Sequence, residues 1–504
     1  MARPSHRPLA ISLIAVLILG IAACIAIHIV VSTRTLRNWV NTSPEDLFLD
    51  YESGSAWVPG VVRIHGLTMR GSDRNVQWYF RMEDAVISVS LFDLIHKEFH
   101  ATRVRGSQLV FRLREREEKA TFFAAHRSRV PKIPGFTDPP LPVTTPEPPP
   151  PDSKYARRHL WSVRIENLVA DPTPEVWIEL YRFQGRARLT GSFYLHPHVE
   201  AWIGPAAVQF ISGDLTLGTE ETVLRELTGR SDCVIDPHAP DEVRGDEIWR
   251  KISGSMKIEG RLEDLRFLNY FIRRSEEPRL AGGSGPARFE VRFDHGIGKG
   301  GASFEAAGVS TRYSAGTVRG QVSGRLEIPR WDVANGNMEI SGSRVDLSNA
   351  VSEGTKHDER DWWGRFQVVS GRLHNGLQAQ GAVSARDARP LYTLFRAELP
   401  GWAQGILKLE ELSGRARVRV GSDLVDVEDM DATGGSFRIS GRYRQKGKES
   451  RGAFLIENGL LSVGVAIEGD ASHVKLLGAK KWFRETVEVE TLQEAGPVRA
   501  RTAS

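Results

Sequence analysis

Cysteine is almost absent from this 504-residue chain, which has only Cys24 and Cys233. Two cysteines exclude a disulfide scaffold and any four-cysteine metal site. Excess charge of one sign is lacking as well. Lys and Arg total 67 against 63 Asp and Glu, a net of +4, too balanced for a nucleic-acid binder that relies on bulk positive charge. The common catalytic signatures are missing too. No G-x-x-x-x-G-K-[ST] phosphate loop, G-x-S-x-G elbow or H-E-x-x-H pair occurs, which removes the usual marks of nucleotide hydrolysis, esterase and zinc-protease chemistry. The glycine-rich stretch Gly296–Gly301 has no Lys-Ser/Thr ending and reads as a hairpin turn.

Three polar clusters stand beside these absences. On a strand, His196, His198 and Glu200 would share a face, and two imidazoles with a carboxylate can hold zinc. Pro197 interrupts that strand, so the cluster reads as a polar face or loop and no metal is assigned. His357-Asp358-Glu359-Arg360, before Trp362-Trp363, reads as a solvated loop. Asn41-Thr42-Ser43 fits the glycosylation pattern but precedes Pro44, and reads better as a helix or turn entry. With no catalytic cluster and no cofactor assigned, the chain reads as a non-enzyme.

What the chain does have is apolar content, at 40% of residues, which is enough for a folded core. Leu9 to Val31 is nearly unbroken, interrupted only by Ser12 and His28. About 20 apolar residues suffice to cross a hydrocarbon core as a helix. Arg3 and Arg7 precede the run, and Arg34, Arg37 and the interfacial Trp39 follow it. Arginine counts are equal on the two sides, and the free amino terminus tips the start toward the cytoplasm. Ile21-Ala22-Ala23-Cys24 resembles a lipobox. However, Ile25 to Val31 stays apolar where a mature lipoprotein turns polar, so the reading is an uncleaved anchor with Cys24 inside it.

Residues 41–130 read as a membrane-proximal β module. Strands are expected near 61–64, 76–82, 87–91 and 108–113, with a short helix over Leu91 to Phe99. Residues 131–159 follow as a proline-rich linker, with ten prolines between Pro131 and Pro151. Such a segment cannot enter a sheet interior and should be extended and mobile.

Residues 160–484 change character. An apolar residue, Ser or Thr, then Gly recurs, as at Leu189-Thr190-Gly191, Ile211-Ser212-Gly213, Val322-Ser323-Gly324, Leu412-Ser413-Gly414 and Ile439-Ser440-Gly441. Its irregular spacing excludes a fixed-period solenoid and makes it a phrase belonging to single strands. After it the pattern alternates. Val322, Gly324, Leu326 and Ile328 oppose Ser323, Arg325 and Glu327, while Leu412, Ala416, Val418 and Val420 oppose Ser413, Arg415, Arg417 and Arg419. Alternate side chains of a strand face opposite ways, so each strand has one apolar and one charged face. A parallel sheet covered on both sides would show continuous apolar runs instead. The expected fold is therefore mainly β with a few helices: an amino-terminal transmembrane helix, then a long curved antiparallel sheet, wet on one side. The phrase glycines would serve bulges, bends or close backbone approach. Helices are expected at Leu265–Ile272, Pro390–Glu398 and 473–484, and residues 485–504 as a flexible tail.

A resemblance adds to this reading. Gly60-Val61-Val62-Arg63-Ile64 through Val86-Ile87-Ser88-Val89-Ser90-Leu91 carries it, with Val104-Arg105-Gly106 and Leu109-Val110-Phe111. Asp387-Ala388-Arg389-Pro390-Leu391 and the run from Gly434-Gly435-Ser436-Phe437 to Ile439-Ser440-Gly441 continue it. In these phrases and in its single anchor, the chain resembles the AsmA-like family of bacterial envelope proteins, relatives of TamB and YhdP in the bridge-like lipid-transfer superfamily. The resemblance implies an inner-membrane anchor, a periplasmic body and a taco-like β groove conducting phospholipid for outer-membrane lipid homeostasis. The proline-rich linker departs from the family pattern. The expected lipid-groove residues are Leu215, Leu217, Leu326, Ile328, Val418 and Val420. The expected partners are membrane lipids, phospholipid first, and other envelope proteins, with no nucleic acid. A non-catalytic envelope assembly or scaffold protein is the alternative.

Overall fold

Residues that alternate between apolar and charged form strands along most of this chain, and the fold is mainly β. The structure, a computed structural model, describes residues 25–41, 47–115, 132–136, 161–387 and 410–495, apart from 73–75, 197–198, 219–220, 241, 244, 271–278, 314–315, 354–358, 375, 422–423, 448 and 470. Contacts divide it into a first unit, up to Gly260 with Glu290–Ile297, and a second, formed by Arg261–Phe289 and the chain from Gly298 onward.

The first unit contains α1 (Thr35–Val40), β1 (Leu47–Asp50), β2 (Ser53–Val58), β3 (Val61–Ser72), β4 (Val76–Val89), α2 (Leu91–Ile95), β5 (Glu98–Ser107) and β6 (Val110–Glu115). The long strands β7 (Ser162–Ile178), β8 (Tyr181–His196), β9 (Glu200–Leu217) and β10 (Glu221–His238) follow. β1 and β2 both pair with β3, β3 with β4, and β4 with both β5 and β6, all antiparallel. β7, β8, β9 and β10 form an antiparallel meander.

The sheet is not antiparallel throughout, as the alternation suggested. β5 and β6 run parallel to β7. Alternation reports only that one face is wet, and it is blind to strand direction. A parallel neighbour requires a crossover connection of a dozen residues or more, and the chain between Glu115 and Ser162 provides one. The proline-rich stretch therefore joins strands of one unit, and the contact division falls near Gly260 instead. Residues 132–136, expected within a mobile linker, are docked. Ile133 is buried, Arg112 donates to the Pro134 carbonyl at 2.6 Å, and the Arg114 guanidinium lies 5.1 Å from the Phe136 ring. Gly135, at φ +93°, lies so close to the Tyr79 ring that a Cβ would stand 2.7 Å from it.

Residues 25–32 are helical and precede α1. The core beneath them joins Leu49, Tyr51, Ile64, Leu67, Met82, Ala85, Leu109 and Ala170, with Leu36 and Val40 packed against it. Tyr51 donates its hydroxyl to the Val31 carbonyl at 2.7 Å. Asn41 clips the edge of β1, donating to the Leu49 carbonyl and accepting its N–H. No described helix is long and apolar enough to cross a membrane. The expected anchor, Leu9–Val31, lies mostly outside the described residues.

The second unit runs through β14 (Gly316–Asp332), β15 (Asn337–Glu339), β16 (Arg344–Glu353), β17 (Glu359–Leu373), β18 (Leu377–Asp387), β19 (Glu410–Val420) and β20 (Leu424–Gly434). It continues through β21 (Phe437–Lys446), β22 (Glu449–Asn458), β23 (Leu461–Glu468), β24 (Ala471–Lys475) and α3 (Ala479–Ala495). From β16 to β24 each strand pairs antiparallel with the next. β14 joins directly to β16, and β11 (Ile252–Leu262), β12 (Arg279–Asp294) and β13 (Ile297–Tyr313) precede it.

The helix expectations need adjustment. Leu265–Tyr270 forms a 3-10 turn, and Pro390–Glu398 lies outside the described residues. The expected 473–484 helix starts later, because residues 473–475 complete β24, and it runs on to Ala495. Trp482, expected near its end, sits in its first turn. Its ring lies over Gly464, where a Cβ would stand 2.6 Å away, and Lys480 pairs with Glu457 at 2.7 Å. The expected turn at Gly296–Gly301 is confined to His295–Gly296, and β13 begins at Ile297.

Candidate functional site: an apolar sheet face

Directly paired residues of neighbouring strands share a face of the sheet. Following the register across the second unit gives one row: Gly324, Val345, Phe366, Val383, Gly414, Ala432, Ile439, Ile456 and Val463. Nine strands contribute to it, and not one side chain is polar. At ~4.8 Å per strand the row is about 40 Å wide. A neighbouring row reads Gly371, Ala379, Val418, Val427, Tyr443, Gly452 and Ile467. The buried centre includes Trp362, Ala385, Leu412, Phe437 and Ile439. At its margin Val420 and Val425, paired with each other, are exposed. The Tyr443 phenol stands in the second row, where burial pushes its pKa up and keeps it neutral.

The opposite face carries matched charge. Arg365 reaches Asp346 at 2.6 Å, Arg419 reaches Glu428 at 2.6 Å, and Arg417 lies between Glu428 at 3.5 Å and Asp429 at 3.2 Å. Arg438 holds both oxygens of Asp431, and the hydrogen bond it donates keeps that carboxyl below its ordinary pKa despite partial burial. At Asp346 burial works the other way, but hydrogen bonds from Arg344 and Arg365 outweigh it and lower the pKa. Asp346 and Asp431 thus stay ionised at neutral pH; one face is a charged ladder and the other is free of charge along the rows traced.

The glycines of the repeated phrase explain how the apolar face packs. Gly324, Gly414 and Gly441 do not have positive φ, so no turn requires them. Each instead lacks a Cβ where a neighbour lies across the strand. A Cβ at Gly324 would stand 2.1 Å from the Phe304 ring, and one at Gly441 2.4 Å from the Phe454 ring. At these three glycines the nearest approach is to side chains on the sheet face, whereas the expected backbone approach occurs at Gly254, where a Cβ would stand 2.1 Å from the Asp232 carbonyl oxygen. Bulges do fall within other copies of the phrase, as between Thr190 and Phe193 and at Ile211, and also outside it, as between Val427 and Met430, where Asp429 adopts φ +51°.

Four of the six expected groove residues lie on this face. Leu326 packs on the cluster of Ile340, Val368 and Ala379, together with Leu377. Val418 pairs with Ala379 and Val420 with Leu377. Ile328, two residues beyond Leu326 on β14, is buried. The other two belong to the first unit, where a second all-apolar row crosses eight strands: Leu49, Met69, Phe80, Phe111, Val176, Phe183, Leu215 and Leu224. Leu215 is half-buried in it, and Leu217 is buried beside it. Sequence reasoning missed the ring-bearing residues Phe366 and Phe454. The phrase marks the seat of Phe454 at Gly441 but not that of Phe366 at Gly381, and only the register shows which ring occupies each.

Only part of the His196, His198 and Glu200 cluster is described. His196 pairs with Glu200 across the β8–β9 turn, His198 lies outside the described residues, and no group of three or more potential metal ligands occurs among the described residues. A scan against protein-family models and searches of curated proteins and of solved structures each returned no match to this chain.

Proposed function

We propose that this chain is a membrane-anchored protein of the bacterial envelope, with its body in the periplasm, that carries phospholipid acyl chains along the apolar face of a long curved sheet. The single observation that supports this reading most is the row of nine strand positions without a polar side chain, backed by an Arg–carboxylate ladder. An ordinary half-wet sheet buries its apolar face under a second layer. Here valines of that face remain exposed, Val345 within the row and Val420 and Val425 at its margin. Acyl chains would cover such a margin, with ~0.8 kcal/mol for each CH₂ buried. Headgroups would remain in water, which removes the need for polar groups within the rows.

Native mass spectrometry of the detergent-extracted full chain, followed by lipid extraction, tests the reading. Phospholipid at defined stoichiometry, lost on introducing a charge at Val418, is the expected result. A stoichiometric protein partner without lipid would favour the envelope-scaffold alternative and overturn the transfer reading.

A further inference from the structure

One end of the first unit gathers large apolar side chains that no core covers. Trp57, 72% exposed, and Val58 lie at the tip of the β2–β3 hairpin. Phe92 and Ile95, the latter 78% exposed, project from α2. Trp161 precedes β7 and is also exposed. Backbone hydrogen bonds bring these segments together: Val89 N–H to the Gly60 carbonyl at 2.7 Å and Ser162 N–H to the Lys97 carbonyl at 3.0 Å. α2 is tied down from beneath, since His100 lies 2.7 Å from Asp93 and 3.0 Å from Glu166.

The helical residues 25–32 run to the same end. Val31 packs on Gly54, and one turn earlier the His28 ring stacks 3.8 Å from Trp57, its Nδ1 accepting the Ala56 N–H at 3.3 Å. Followed toward residue 25, the helix thus passes from the start of β2 toward its tip. Ile25 and Ile29 are exposed. The apolar run that begins at Leu9 is therefore joined to the fold beside the exposed Trp57, Val58, Phe92 and Ile95.

We infer that this end is a bilayer-seating surface, in which Trp57, Val58, Phe92 and Ile95 enter the headgroup–acyl boundary around the anchor. Tryptophan favours that boundary because its ring is amphipathic, and a surface-lying patch binds through its apolar area. A soluble surface has no use for a group of such residues at one end. This inference rests on the membrane-anchor reading, and it adds that the fold is seated on the lipid surface and not merely tethered near it.

The test uses the full chain in a Cys24→Ser, Cys233→Ser background, with Trp57→Cys, Ile95→Cys or Tyr181→Cys labelled by an environment-sensitive fluorophore. Tyr181 is exposed at the opposite end of the β7–β8 meander. Each protein is reconstituted into phosphatidylethanolamine–phosphatidylglycerol vesicles carrying a lipid with a nitroxide near its headgroup. Flotation with the vesicles and quenching at positions 57 and 95 but not 181 is the expected result. Flotation without quenching at 57 and 95 would overturn the seating and leave the anchor standing. Failure to float would overturn the anchor, and the seating with it.

Discussion

A glutamate at Val418 separates a lipid-bearing face from a closed core. Val418 is half-buried, between Ala379 on β18 and Val427 on β20. Full burial of a valine is worth about 1.5–3 kcal/mol, so half-burial forfeits about 1 kcal/mol when the side chain is replaced. A buried polar group without a partner costs about 1–3 kcal/mol in proteins. Here it is halved, because the carboxylate can turn toward the exposed margin at Val420 and Val425. The sum is about 2 kcal/mol, or roughly 4–8 °C in Tm for a unit of this size. Ile439→Glu is the contrasting variant. Ile439 is buried in the cluster at the centre of the same face, and its glutamate should unfold the second unit. Arg417→Gln is the control on the charged face. Arg417 touches both Glu428 and Asp429, so a glutamate there would add repulsion, whereas glutamine forfeits only an exposed pair worth ~0–1 kcal/mol. Calorimetry and lipid extraction are run on all three. The expected outcome is a folded Val418→Glu protein without lipid, a folded Arg417→Gln protein with lipid, and an unfolded Ile439→Glu protein. A Val418→Glu protein as unstable as Ile439→Glu, or one that keeps its lipid, would refute the reasoning.

Gly441→Ala should destabilise by about 1–3 kcal/mol through overpacking on the Phe454 ring, and Phe454→Leu in the same chain should recover part of that loss in urea unfolding. Arg444→Met leaves the carboxylate of Asp426, 1% exposed and held at 2.7 Å, without this cation. It should cost about 3 kcal/mol, the low end for a buried pair because Arg444 is itself partly exposed, and more than Arg438→Met on the exposed pair with Asp431, as thermal unfolding would show. Burial opposes the charged form of His100, but its hydrogen bond to Asp93 and the nearby carboxylates of Asp93 and Glu166 raise its pKa above the ordinary value. The protonated pair thus contributes stability that is fully present below the unfolded-state pKa near ~6.5 and is lost as pH rises through the higher folded value. The Tm difference between the native chain and His100→Gln should therefore shrink with rising pH, and a difference that grows would contradict the pairing.

Local pattern was enough to reveal the strands and their two faces. Period-two alternation at residues 322–328 and 412–420 follows from the pleat, which sends neighbours to opposite sides whatever the partner strand. The same logic placed Val418 and Val420 opposite Arg417 and Arg419. Alternation carries no information on direction or partner, because both depend on how distant segments meet. The parallel addition of β7 to β5 and β6, the docking of residues 132–136 on that arrangement, and the continuity of apolar rows across eight or nine strands were decided by tertiary structure alone. So was the role of the phrase glycines. A missing Cβ is written in the sequence, but whether it frees a backbone angle or seats a phenylalanine from the next strand depends on register, and register is a property of the folded chain.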